Sequence, residues 1–175
     1  REAGVALADY FDRLVQERRK NLQDDLVSEL IRAEDEGDKL REGELVIQAI
    51  GLLVAAYETT TGLIGNGLLA FIKNPEQRAL LHSDSSLLDS AVDECLRYDP
   101  PILFNWRVLQ EAVEIRGKTL PADSVLWLML GAGNRDPDRF NDPDNFDISR
   151  KNIAHLSFGG GSHYCLGNQF ARMEG

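Results

Sequence analysis

One thiol sits on a stretch of backbone almost bare of side chains. Residues 157–172 read SFGGGSHYCLGNQFAR and place Gly159, Gly160, Gly161, His163, Cys165 and Gly167 in one short segment. Consecutive glycines hold nothing at a distance and reach backbone angles closed to other residues, so this loop can lie flat against something large. From Leu166 onward, Phe170 and Met173 keep helical spacing. Cys165 thus falls at or just before a helix start, where free amides and the positive dipole end favour an anion such as a thiolate. A phosphate loop would need Lys-Ser or Lys-Thr after the glycines, and the spacing is wrong for a dinucleotide fingerprint. A Cys–His nucleophile would set His163 only two residues away and leave three glycines without a reason. Zinc would need about four ligands at recognisable spacing, and Cys95, Cys165, His82, His155 and His163 contain no Cys-x-x-Cys. For an isolated glycine turn, a buried structural thiol is the favoured reading, since that is the usual fate of a free cysteine.

The full string Phe158-Gly159-x-Gly161-x-His163-x-Cys165-Leu166-Gly167 changes that weighting, because it resembles the haem-binding loop of the cytochrome P-450 family position for position. The resemblance implies haem b (iron protoporphyrin IX) as cofactor and Cys165 as the thiolate ligand of its iron, the ligation that favours O–O cleavage. It further implies that Phe158 shields the sulfur, that His163 bonds a haem propionate, and that amides beyond Cys165 donate to the thiolate.

A second stretch, AAYETTTG, covers Ala55 to Gly62. Three β-branched threonines and a glycine weaken regular helical bonding, which makes a local bend plausible. Thr59 lies four residues after Ala55 and shares its face, with Glu58 the adjacent step round. Taken alone, these are polar residues capping gaps or facing solvent. Beside the thiol loop, the stretch resembles the family's oxygen-binding helix signature, Ala-Gly-x-Glu/Asp-Thr-Thr, with Ala56 where glycine is usual. The resemblance implies that Thr59 holds dioxygen and its water, and that Glu58 relays protons for O–O scission. Ala55 and Ala56 would border the groove above the cofactor.

Glu94 and Arg97 in DECLRYDPP are three apart on one helix. As a bare pair they are an exposed ion pair worth about 0.2–0.5 kcal/mol, with the apolar stripe of Leu87, Leu88, Ala91, Val92, Cys95 and Leu96 pointing elsewhere. The family pattern instead implies a buried structural pair tying this helix to a polar meander. Its usual third member is an arginine before a phenylalanine; here that position is Asn145, before Phe146, which leaves a pair. Arg107 reads alone as a strand-edge charge, and by resemblance as a bidentate partner of a haem propionate. Pro101 to Trp106 would line a substrate pocket, where Ile102, Leu103 and Phe104 ask for a hydrophobic substrate. His82 and His155 read as structural, and Cys95 as a core thiol.

The elements that must hold these groups follow from periodicity. Leu7, Tyr10, Phe11, Leu14 and Val15 form one stripe of a helix over Val5–Lys20, and a second helix opens after Asp24 and Asp25 with Leu26, Val27, Leu30 and Ile31 inward. An acidic linker, AEDEGDKLREG, follows. Glu44 to Lys73 is about thirty residues without proline, apolar on nearly every face: a buried core helix or a membrane span. Gln48, Glu58, the threonines and Asn66 favour the core, since a carboxylate near the bilayer centre costs several kcal/mol. Helices over Glu76–His82 and Ser83–Tyr98 end at Pro100-Pro101. Val113–Ile115 and Val125–Leu130 predict a small hairpin about Gly117 and Pro121, and Gly133–Arg150 is an ordered, Asp/Pro/Asn-rich meander.

The sequence thus predicts a mostly α fold with a minor β hairpin or sheet. By resemblance it is the C-terminal portion of the cytochrome P-450 fold, one partial domain over 1–175. Within it, 1–36 and 75–98 are helical, 44–73 is the oxygen-binding helix, and 102–130 holds the sheet. Residues 131–154 are the meander, and 155–175 the thiolate loop with its helix. A formal charge of −10, from 29 acidic against 19 basic residues, argues against general attraction to nucleic acid or an anionic membrane. Two cysteines give no disulfide framework, which suits the cytoplasm. The resemblance implies a monooxygenase acting with O2 on a small hydrophobic organic substrate, with electrons from NAD(P)H through redox partners such as a ferredoxin docking near Arg172. The alternatives are a haem-thiolate peroxygenase using hydrogen peroxide, or a non-enzymatic helical binding module.

Overall fold

The computed structural model describes residues 2–35 and 43–175. Residues 36–42, most of the expected acidic linker, lie outside the described residues. The chain forms two compact units, Arg1–Glu58 and Thr59–Gly175. Their boundary falls within the long helix.

In the first unit, α1 (Glu2–Lys20) and α2 (Leu26–Asp35) pack with the start of α3 (Glu44–Lys73) around Val15, Ile31 and Leu45. Tyr10 and Leu26, expected inward, are 54% and 60% exposed. Once Ile31 and half-buried Val27 and Leu30 face the core, Leu26 in the first turn is rotated out of the stripe. Asp25 starts α2 by accepting the Ser28 amide at 2.8 Å, as an N-cap does, and it also accepts from Arg18 on α1. The Arg18 hydrogen bond, followed by those from Ser28, holds the Asp25 carboxyl below its ordinary 3.8, at about 2. Because the folded value is depressed, this contribution is complete above the ordinary value and is lost as pH falls through about 2. Amide exchange in the first turn of α2 is expected to accelerate across that window, and Asp25→Asn to remove the pH dependence.

The second unit holds the larger core. It gathers Leu63 and Ala70 of α3, Ala91, Val92, Cys95 and Leu96 of α5 (Leu88–Tyr98), Phe146 and Ile148 of the meander, and Phe158 of the thiol loop. α3 and α5 meet where Gly67 faces Cys95; a Cβ on Gly67 would come 3.2 Å from the Cys95 sulfur. The Asn66 amide then donates to the Asp99 carbonyl at 2.9 Å. α4 spans Pro75–Ser83, and α5 begins later than the sequence suggests. Asp84 takes the Ser86 amide and hydroxyl at 3.0 and 2.6 Å, which turns Ser85–Leu87 into a 3₁₀ segment and leaves Leu88 57% exposed.

The expected burial of the whole long helix is not met. α3 runs unbroken through its threonines, yet Ile47, Tyr57, Leu68 and Ile72 are 69%, 72%, 61% and 68% exposed. The buried positions of α3 are Leu45 and Ala49 in the first unit and Leu63, Gly67 and Ala70 in the second. By length and composition alone, α3 is also the helix among the described residues that could cross a membrane.

The sheet differs from the expected hairpin. β2 (Val113–Ile115) pairs with β3 (Lys118–Leu120), while β4 (Val125–Leu128) pairs antiparallel with β1 (Asn105–Val108), Trp106 opposite Trp127. Arg116 and Gly117, with φ of 49° and 75°, close β2 onto β3 at once, as a type I′ two-residue turn does, and so free β4 for β1. The chain after β4 becomes a short helix, α6 (Leu130–Gly133), and the meander follows.

Candidate functional site

Three consecutive structures carry the thiol: a turn closed by the Gly159 amide on the Leu156 carbonyl at 2.8 Å, a 3₁₀ turn over Gly161–His163, and α7 (Asn168–Glu174). Gly159 and Gly161 take φ of 71° and 66°, the left-handed region, and the Cys165 amide closes the loop on the Phe158 carbonyl at 2.9 Å. Cys165 is half-buried, packed against the cluster that contains Phe158. The surface beside it is apolar and uncovered: Leu166, Phe170 and Met173 are 86%, 70% and 81% exposed. A Cβ at Gly160, Gly161 or Gly167 would meet nothing within 4 Å. His163 is exposed on the 3₁₀ turn. Arg107 is half-buried on β1 and donates to the Trp106 carbonyl at 2.8 Å. Ile102, Leu103, Phe104 and Trp106 precede or open that strand and are all exposed.

Beneath the loop lies the Glu94–Arg97 pair, and it is not a surface pair: both side chains have zero exposure. All five N–H donors of Arg97 are used. Two go to the Glu94 carboxylate at 2.7 and 2.8 Å, and three to the carbonyls of Asn134, Pro143 and Asn145 at 2.9, 2.8 and 3.0 Å. Nor does Asn145 reduce the network to two members. Arg150, five residues on, donates to Glu94 Oε1 at 3.2 Å and to the carbonyls of Asn141, Asp142 and Asn145. A cation therefore enters from a later position of the meander, and the position Asn145 supplies a backbone acceptor.

Sequence reasoning missed Asn134 and Ser157. Asn134 is fully buried; its Oδ1 accepts the Leu156 amide at 2.7 Å and its Nδ2 donates to Ser157 Oγ at 2.9 Å. Ser157 Oγ donates in turn to the Leu96 carbonyl at 2.6 Å. These bonds fasten the start of the thiol loop to the end of α5. Their only trace in the sequence is an asparagine closing an apolar run before Arg-Asp-Pro, which reads equally well as a turn. Asp93 is a further omission: it accepts from Arg172 Nε at 2.9 Å and faces His155 Nε2 at 3.4 Å. Burial would raise its carboxyl, but those two hydrogen bonds outweigh it and hold it below the usual range.

Cys95 has the opposite environment to a reactive thiol. Burial, with the Glu94 charge beside it, pushes it up to about 12, so it stays protonated in the core. On α3, Ala55, Ala56 and Glu58 are exposed and Thr59 is half-buried.

A helical fold that offers one loop cysteine beside an uncovered apolar face, over a buried Glu–Arg network, suits a cysteine-ligated haem protein. The family model for Cytochrome P450 matches residues 1–175, and the chain belongs to that family. It is 44% identical over 174 residues to cytochrome P450 107B1 of Saccharopolyspora erythraea, covering 99% of this chain and 43% of that protein. The solved structure of P450BioI in complex with an acyl carrier protein ligated with hexadec-9Z-enoic acid superposes with a TM-score of 0.91. There the identity is 43%, and 97% of this chain and 44% of that one are covered. The crystal structure of CalO2 gives 0.93 at 39% identity, with 97% and 43% covered. The chain thus spans under half the length of the relatives it matches.

Membership implies haem b as the cofactor, and the residues present fit it. A flat, largely apolar group needs side-chain-free backbone and apolar contacts, and the open glycine positions with Leu166 and Phe170 supply both. Gly161→Ala is expected to cost about 1–2 kcal/mol, the penalty of a left-handed backbone for an L-residue. Gly160 has φ of −167°, so Gly160→Ala should stay within about 0.5 kcal/mol. Denaturant midpoints of the two variants check this difference.

Proposed function

We propose that this chain is the C-terminal part of a cytoplasmic haem-thiolate monooxygenase. The full-length protein takes a hydrophobic organic substrate, O2 and two electrons from NAD(P)H, delivered by a ferredoxin-type or other redox partner. It returns the hydroxylated product and water; this chain alone is inactive. The observation that carries the reading is the ten-residue loop Phe158–Gly167 in a chain that matches the family over its whole length.

When bound, haem supplies the activation of dioxygen and the transfer of one oxygen atom. The chain's own residues do the rest. Cys165 would hold the iron through its sulfur, and the loop amides that follow it would donate hydrogen bonds that moderate its charge. Gly159 and Gly161 let the backbone approach, Leu166 and Gly167 complete the contact surface, and Phe158 keeps water from the sulfur. His163 and Arg107 take the propionates. On α3, Thr59 would offer its hydroxyl as a hydrogen-bond donor to the oxygen substrate and Glu58 would hold and pass on protons, while Ala55 and Ala56 would keep their part of the helix surface small. Ile102, Leu103 and Phe104 favour an apolar substrate through contact area.

The test is the full-length protein, reduced and treated with carbon monoxide, then assayed with NAD(P)H and a reductase system or with peroxide alone. A thiolate-type Soret band with product only in the reductase assay is the expected result. Product with peroxide alone would make it a peroxygenase. Absence of any Soret band would reduce it to a helical binding module.

A further inference from the structure

A charged cluster lies behind Phe158, and neither the ligand loop nor the Glu94–Arg97 network accounts for it. The Arg172 guanidinium sits over the Phe158 ring, 4.6 Å from its centroid, close enough for a cation–π contact. Its Nε donates to Asp93, and its Nη1 to Asn168 Oδ1 at 3.0 Å. His155 is the strut on the other side. Its Nδ1 accepts the Ser157 amide at 3.2 Å, so the neutral ring carries its proton on Nε2, which faces Asp93 Oδ1. The His155 ring also packs on Phe158, with centroids 5.3 Å apart. Phe158 then hands the arrangement to the thiol, because its carbonyl holds the Cys165 amide at 2.9 Å. A fixed cation and a fixed anion are thus one residue removed from the sulfur, in partly buried surroundings where charges act more strongly than in water.

We propose that Asp93 and Arg172, held in register by His155, are positioning residues that set the electrostatic environment of the Cys165 sulfur and hence the reduction potential of the haem iron. This rests on the haem-thiolate reading above. Reduction of ferric to ferrous iron adds one negative charge to the site, so a nearby cation favours the reduced form and a nearby anion opposes it. It also follows that Arg172 is committed to Asp93 and the Phe158 ring.

The test uses the full-length holoenzyme and reads its one-electron potential beside its reduced, carbon monoxide-treated spectrum. Arg172→Gln is expected to lower the potential and Asp93→Asn to raise it, each by up to a tenfold change in the reduction equilibrium, about 59 mV. Arg172→Lys keeps the charge and is expected to stay near the parent value; it also serves if Asp93→Asn does not fold. A normal thiolate-type band with unmoved potentials, or with both neutralising variants shifting the same way, overturns this inference alone. A parent protein with no such band overturns the haem reading and this inference with it.

Discussion

In the full-length protein, Cys165→Ser is expected to abolish the thiolate-type band of the reduced, carbon monoxide-treated form and to cut turnover by more than about 100-fold. Loss of a residue that merely orients a metal ligand typically costs about 10–100-fold, and loss of the ligand must exceed that. The structure makes this substitution a clean test. Cys165 is half-buried at the rim of the core, and its hydrogen bonds, from its amide to the Phe158 carbonyl and from Asn168 to its own carbonyl, do not involve the side chain. Serine keeps the loop and removes the sulfur. Stability should therefore move little, within about 0.5 kcal/mol, while the spectrum changes completely. Cys95→Ser is the control with the opposite profile. It buries a hydroxyl facing Gly67, destabilises the α3–α5 contact, and leaves the thiolate band where it was. A band that survives Cys165→Ser would remove this residue from the chemistry.

The loop and the two helices beside it were legible because their signals are local. Glycines with positive φ, a helix pattern after Cys165 and an apolar stripe on α5 depend only on neighbours a few residues away. The misreadings share another cause: they turn on partners far along the chain. The pairing of β4 depended on whether two residues, Arg116 and Gly117, closed β2 onto β3 first. Arg150 reaches Glu94 across 56 positions, and Arg172 reaches Asp93 across 79. Nothing in residue type alone says which arginine of a polar meander will find a buried carboxylate. The burial of α3 failed for a complementary reason. Hydrophobicity on every face says what a helix can bury against, not how much partner surface this chain provides.

The largest stability effect is expected at Arg97. Removing one partner of a buried ion pair costs about 3–5 kcal/mol, and Glu94 would keep the longer bond from Arg150 and the Asp147 amide. At Arg97→Ala, the carbonyls of Asn134 and Pro143 also lose this donor, at about 1–3 kcal/mol for each buried group that water cannot reach, while the Asn145 carbonyl keeps Arg150. A domain holding about 5–15 kcal/mol in total does not survive that sum, so Arg97→Ala should be insoluble or fail to retain haem. Arg97→Lys keeps the charge but offers three donors where five are used, and should be intermediate. Arg150→Ala should be milder still. Its bond to Glu94 is longer, at 3.2 Å, its side chain is 12% exposed, and water can replace it at the carbonyls of Asn141 and Asp142. The same ranking should appear in haem retention, since Arg97 and Asn134 anchor the meander that delivers Leu156 and Ser157 to the thiol loop. Soluble yield and urea midpoints across the three variants measure it. Equal losses at Arg97→Lys and Arg150→Ala would mean that net charge, not the five-donor geometry, holds the meander in place.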